Sequence, residues 1–212
     1  SKTISGLQYG ETIIALDYRP ANGQLYGLGS SSRIYTIDAD GKATAVGNGA
    51  FSPALSGTVA GFDFNPTVDR IRIVTSSGQN LRVNPETGAV QVTDGNINGV
   101  AGVAISSVAY TNSMAGATTT VLYDIDATSN KLYKQDPPND GKLVEVGNLG
   151  FTSAGTDSSF DIAPNGTAIA TVNNGSSSTL YQVNLENGSS IKLGTFSGTI
   201  TALAIPAANT SM

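Results

Sequence analysis

The 212-residue chain contains no cysteine, no histidine and no tryptophan. Lack of cysteine excludes disulfides, thiolate nucleophiles and sulfur metal ligands. Lack of histidine removes the commonest general base, a principal zinc and copper ligand, and the Ser-His-Asp triad. Charged residues make up only 13%, and a formal net charge of -5 leaves no surplus of Lys and Arg to neutralise phosphates, so no nucleic-acid partner is expected. No apolar run approaches the roughly 20 residues of a membrane-spanning helix, so membrane insertion is not expected either. Ser1-Lys2-Thr3-Ile4 has no signal-peptide profile, although a mature secreted chain would have lost one.

What the chain does have is 25 glycines, 8 prolines and abundant Ser, Thr and Asn beside 39% hydrophobic residues. Such a composition suits a folded domain of many short strands and turns rather than helices or disorder. A hydroxyl- and amide-rich composition with few charges also points to a secreted or cell-surface location. Residues 1–212 read as a single domain.

One stretch, Gly61-Phe62-Asp63-Phe64-Asn65-Pro66-Thr67-Val68-Asp69-Arg70-Ile71-Arg72, reads as two antiparallel strands joined by an Asn-Pro turn. Weaker copies surround Asp17, Ala109, Asp161 and Ala204. Taking these five residues as anchors, the steps are 46, 46, 52 and 43 residues. A period near 47 with four strand signals per unit predicts an all-β, propeller-like fold. Four complete four-stranded blades fall at about 12–48, 57–94, 105–149 and 157–196. An incomplete fifth is expected from the two termini, 1–8 with 199–206. A β-sandwich is the alternative, but it gives no reason for the sequence to repeat by fours. Val100 to Ser107 fits either a brief helical turn or the approach to a strand.

On the run from Gly61 to Arg72, with Gly78-Gln79-Asn80-Leu81-Arg82, Asn84-Pro85-Glu86-Thr87-Gly88 and the earlier Asp17-Tyr18-Arg19-Pro20, the chain resembles an uncharacterised domain family of secreted bacterial proteins. The resemblance implies secretion and a propeller-like fold. It brings no activity and no catalytic residues.

Candidate polar residues sort by chemistry. Asp17, Asp63 and Asp161 recur once per unit near the ends of first strands, a pattern that favours accepting backbone N–H groups over catalysis. Asp69, Arg70, Arg72, Asn80 and Arg82 form the richest polar group and are expected to make an inter-blade network, with Arg72 or Arg82 buried and paired. Asp38 with Asp40, and Asp124 with Asp126, offer oxygen pairs suited to calcium without the spacing of an EF-hand loop. No other cofactor is indicated, and neither a catalytic motif nor a catalytic residue. The tyrosines 26, 35, 133 and 181 fall at repeating strand positions and are expected between blades.

Three functions fit these features. A secreted structural or self-assembling protein would use the edges of the incomplete blade, Lys2, Ile4 and Leu7 on one side and Thr201, Leu203 and Ile205 on the other, to take strands from another copy or from an upstream part of the same precursor, giving a homo-oligomer or filament. An extracellular peptide- or glycan-binding module is the alternative. An enzyme would need two carboxylates converging in a cleft.

Overall fold

The computed structural model describes residues 1–57, 60–152 and 157–207. Among them, strands pair antiparallel in chain order into four sheets of four. Blade one holds β1 (Ile13–Tyr18), β2 (Leu25–Gly29), β3 (Arg33–Ile37) and β4 (Ala43–Val46). Blade two holds β5 (Ala60–Asn65), β6 (Arg70–Thr75), β7 (Asn80–Val83) and β8 (Val90–Thr93). Blade three holds β9 (Ser107–Tyr110), β10 (Leu122–Asp126), β11 (Lys131–Gln135) and β12 (Leu143–Asn148). Blade four holds β13 (Ser158–Ile162), β14 (Ala168–Asn173), β15 (Ser177–Val183) and β16 (Ser190–Ser197). The arrangement is a four-blade propeller with first strands innermost, β1 against β5, β5 against β9 and β9 against β13.

Local chemistry sets the turns. Asn65 Oδ1 accepts the Thr67 N–H at 2.9 Å, closing the Asn-Pro turn between β5 and β6. Between third and fourth strands, Asn84 and Asn184 each accept the N–H two residues on, at 2.8 Å, and the chain reverses through Gly88 and Gly188 at φ 66° and 80°.

Alternation along the strands gives every sheet two faces, and the apolar faces meet between consecutive blades. Phe62, Phe64 and Ile73 pack on Tyr26, Leu28 and Ile34 between blades one and two. Val74 meets Val108, Tyr110 and Tyr133 between two and three. Leu132, Ile125 and Phe151 meet Phe160, Ala170 and Tyr181 between three and four. A small fourth cluster, Tyr35, Ile37 and Ala43, lies on the other face of blade one with only partly buried Leu7, Ile13, Leu16 and Leu25 around it. The four repeated tyrosines thus all lie in these clusters.

Of the two readings of Val100 to Ser107, the approach to a strand holds: residues 100–106 form no helix and lead into β9, and the helical turn among the described residues is the 3-10 turn Pro138–Asp140. Neither terminus forms the expected strand of a fifth blade. Ser5 makes an isolated parallel bridge to Lys42, and residues 201–207 have no regular secondary structure. No helix among the described residues is long and apolar enough to cross a membrane.

Candidate functional site

The inner strands carry three carboxylates to one place. Asp17, Asp63 and Asp161 are each 2% exposed, and one oxygen from each lies within 4.8 Å of the others. They do not merely cap their own turns. Asp17 Oδ2 accepts the N–H of Phe64 in blade two at 2.8 Å, and Asp63 Oδ1 accepts that of Tyr110 in blade three at 2.9 Å. Asp161 Oδ2 accepts the N–H of Ile205 at 2.5 Å. Each carboxylate grips the residue following the anchor of the next unit. Blade three has Ala109 at this place, and hydroxyls replace the carboxylate: Ser107 and Ser106 reach Ser158 Oγ at 2.8 and 2.6 Å.

Burial pushes all three acids upward. For Asp17 and Asp63 the rise is large, reinforced in Asp17 by Asp161 and in Asp63 by both partners. Asp161 is raised from 3.8 to about 6 by burial, and its bonds to Ile205 and Ile162 pull it back. Three clustered hard oxygen donors could hold a cation such as calcium, which would relieve their mutual repulsion.

The oxygen pairs named from the sequence are occupied differently. Asp38 Oδ1 takes the N–H groups of Asp40 and Lys42 at 2.9 Å, and exposed Asp40 pairs with Lys2. Asp126 takes the N–H groups of Ala104, Thr128 and Ser129. Asp124 is fully buried with neither oxygen hydrogen-bonded among the described residues, and burial holds its pKa well above the ordinary range against the pull of Arg72. Among the described residues, the cluster that could hold a metal is therefore Asp17, Asp63 and Asp161, because their strands converge and those of the named pairs do not.

The arginine group divides. Arg72, 1% exposed, donates to Asp94 at 2.5 Å, to Asn80 at 2.8 Å, to Tyr110 at 3.2 Å and to Asn139 at 2.8 Å, joining blade two to blade three. Arg82 holds both oxygens of the same Asp94, at 2.7 and 2.8 Å. Asp69 belongs instead to Arg19 of blade one, at 2.5 and 2.9 Å, and Arg19 also pairs with Glu86. Arg70 turns outward to Gln91 and to the Asp69 carbonyl. Sequence reading missed Asp94, Asn139, Arg19 and Glu86, which lie outside the run that drew attention to the group.

Residues 1–204 match the family described as "Domain of unknown function (DUF4394)". The chain belongs to that family. No curated protein matches it. Among solved structures it is similar to one titled "Structure of Dos1 propeller", at 16% identity and a TM-score of 0.47 over 93% of this chain; it spans 51% of that chain, about half its length.

In this DUF4394 chain the termini flank blades four and one. Ile200 is pinned to Ser178 and Asn173 by its N–H, at 2.7 and 3.2 Å, and Ile205 by Asp161. Between these points the N–H groups of Thr201 to Ala204 make no hydrogen bond among the described residues. Thr201 and Leu203 line an axial cavity of about 90 Å³ with Leu16, Phe62, Ser107 and Phe160. At the rim, Ser5 bridges Lys42 as Asn98 bridges Lys142, and a Cβ at Gly6 would strike the Ala43 carbonyl as one at Gly99 would strike that of Leu143. Residues 3–6 therefore sit on blade one as 96–99 sit on blade three. Those latter residues follow β8, so Lys2 to Leu7 correspond to the run-out beyond an outer strand and not to the strand itself. Lys2 reaches Asp40, Ile4 is exposed, and Leu7 packs on the small cluster of blade one.

Proposed function

We propose that this domain is a secreted, non-enzymatic structural module that assembles by taking β-strands from a neighbouring copy into an incomplete fifth blade. The observation that carries the reading is the bond from Ile205 to Asp161. It repeats the grip that Asp17 and Asp63 exert on true inner strands, which supports reading Thr201 to Ile205, irregular in the isolated chain, as the place of a fifth unit's first strand, with its backbone N–H groups unpaired from Thr201 to Ala204 among the described residues. Unpaired strand backbone attracts further strands.

The flanking faces agree. On blade four, Ile191 pairs with Gln182 and Phe196 with Ser178, on the side opposite the cluster shared with blade three; they are 69% and 49% exposed. On blade one, Ile13, Leu16 and Leu25 remain only partly covered. The strands needed are the second to fourth of a blade. Because the two flanking faces differ, copies would join head to tail and form an open filament.

The carboxylate cluster is buried and filled by backbone contacts, which favours a structural role over hydrolysis. Peptide or glycan binding is favoured by the axial cavity alone, and about 90 Å³ falls well below the roughly 300–1,000 Å³ of ordinary ligand pockets. Solution mass measured across a wide concentration range, with electron microscopy of native material, tests the assembly. Growth of mass with concentration and filaments are expected; a monomer at every concentration would overturn the proposal.

A further inference from the structure

The junctions between blades share a contact that blade four makes with nothing. Gly147 lies opposite Leu132, just past a bulge, at the end of β12. A Cβ at this position would overlap the carbonyl oxygen of Asn187 in the turn between β15 and β16. Gly47 stands in the same relation to the Thr87 carbonyl in the turn between β7 and β8, and a Cβ at Gly95 would come within 2.8 Å of the Asp140 carbonyl in the turn of blade three. Each outer strand thus ends against the third-to-fourth-strand turn of the following blade, close enough that only glycine fits.

Gly194 holds the equivalent place on β16. It lies opposite Leu180, with Lys192 opposite Tyr181 across a bulge, as Gly147 lies opposite Leu132 with Glu145 opposite Tyr133. Yet a Cβ at 194 would meet nothing within 4 Å, and its backbone is not left-handed. Neither crowding nor conformation accounts for glycine there. Glycine inside a strand weakens it and commonly marks the close approach of another backbone. The neighbouring side chain tells the same story: Ile34, Asn80 and Leu132, which face the following blade from the third strand, are at most 1% exposed, whereas Leu180 is only partly buried.

We infer that Gly194 is the seat for a glycine-closed β-turn carried by a strand–turn–strand segment, the carbonyl before the turn's glycine lying against the Gly194 Cα. This rests on the proposed filling of the fifth blade and specifies what fills it. The turns at 84–88 and 184–188 supply the chemistry: an Asn side chain accepting the N–H two residues on, then a glycine at positive φ. Apolar residues alternating along the segment's strands cover Leu180 and Ile191. Continuity with the three existing junctions selects this occupant over an unstructured peptide or a sugar, neither of which presents such a turn.

Sedimentation of the full chain is compared for the wild type, Gly194→Ala and Gly194→Val, together with binding of a labelled peptide of residues 79–93, which carries one such turn between two strands. Gly194→Val is expected to weaken self-association or peptide binding at least tenfold, Gly194→Ala less, with the melting temperature of the monomer unchanged. Peptide binding that is lost in Gly194→Val while the wild type stays monomeric would uphold the seat and refute supply by a neighbouring copy. Self-association of wild-type strength in Gly194→Val would leave the assembly standing and overturn the seat. A wild type that neither self-associates nor binds the peptide overturns both, and a lowered melting temperature in Gly194→Val overturns the seat by showing the site already packed.

Discussion

Asp161 holds the backbone of Ile205, 44 residues further on, through Oδ2 at 2.5 Å, while its Oδ1 takes the adjacent Ile162 N–H at 2.6 Å. Removing the carboxylate frees two donors at once. Charge-assisted bonds of this kind contribute about 1.5–3 kcal/mol each, and buried donors left unpaired cost a similar amount. Asp161→Ala is therefore expected to destabilise the domain by about 2–4 kcal/mol in denaturant unfolding and to speed hydrogen exchange at Ile205. Unchanged exchange at that amide would show that the C-terminal segment is held by other contacts.

Stability is expected to fall as pH rises out of the acid range. The folded state raises Asp161 from 3.8 to about 6, so its contribution is complete below about pH 4 and is lost by about pH 6, an effect of about 3 kcal/mol. Asp17 and Asp63 shift in the same direction and extend the loss to higher pH. A cation held by the three acids would oppose it. Calcium is expected to raise the melting temperature at pH 7.5 and to have little effect at pH 4.5, where protons compete; no response at pH 7.5 would exclude the cluster as a calcium site.

Arg72 and Arg82 share Asp94 but differ in exposure, their side chains being 2% and 29% accessible. Arg72→Ala leaves a buried carboxylate short of one partner and takes one hydrogen bond each from Asn80, Tyr110 and Asn139, for an expected loss of about 3–5 kcal/mol. Arg82→Ala is expected to cost about 1 kcal/mol, nearer the range of surface pairs. Urea unfolding of both variants and of the double mutant measures the difference. Equal losses would mean that burial does not set the ranking.

The two faces of blade four predict opposite responses. Phe160, 4% exposed, sits in the cluster shared with blade three, and Phe160→Ala is expected to cost about 3–5 kcal/mol. Ile191→Asp on the uncovered face is expected to change monomer stability by no more than about 0.5 kcal/mol. Chemical denaturation at low protein concentration, where copies stay apart, makes the comparison.

The blades were legible because each repeats a run of alternating strands closed by Asn, Pro and Gly turns, so period and turn chemistry point the same way. The recurrence of Asp17, Asp63 and Asp161 was equally plain, and so was their use as acceptors of N–H groups. Their convergence was not. A period gives a residue's place within its blade, whereas the separation across the axis depends on how inner strands pack. For the same reason the polar group of blade two looked like one network, although Asp69 turns back to Arg19 and Arg72 turns forward to Asn139. The N-terminal segment misled because Lys2 to Leu7 alternates like a strand, while what decides its role is the contact of Gly6 with the Ala43 carbonyl.

The inner grips all point one way along the chain. Asp17 takes Phe64 and Asp63 takes Tyr110, each 47 residues later, so every carboxylate is synthesised before the amide it will bind. A nascent polypeptide that has emerged as far as Tyr110 already contains both partners of the first two grips and the whole of the first two blades. Docking can thus keep pace with translation, each new inner strand meeting an acceptor already in place, and the last of these grips, on Ile205, waits only until residue 205 has emerged.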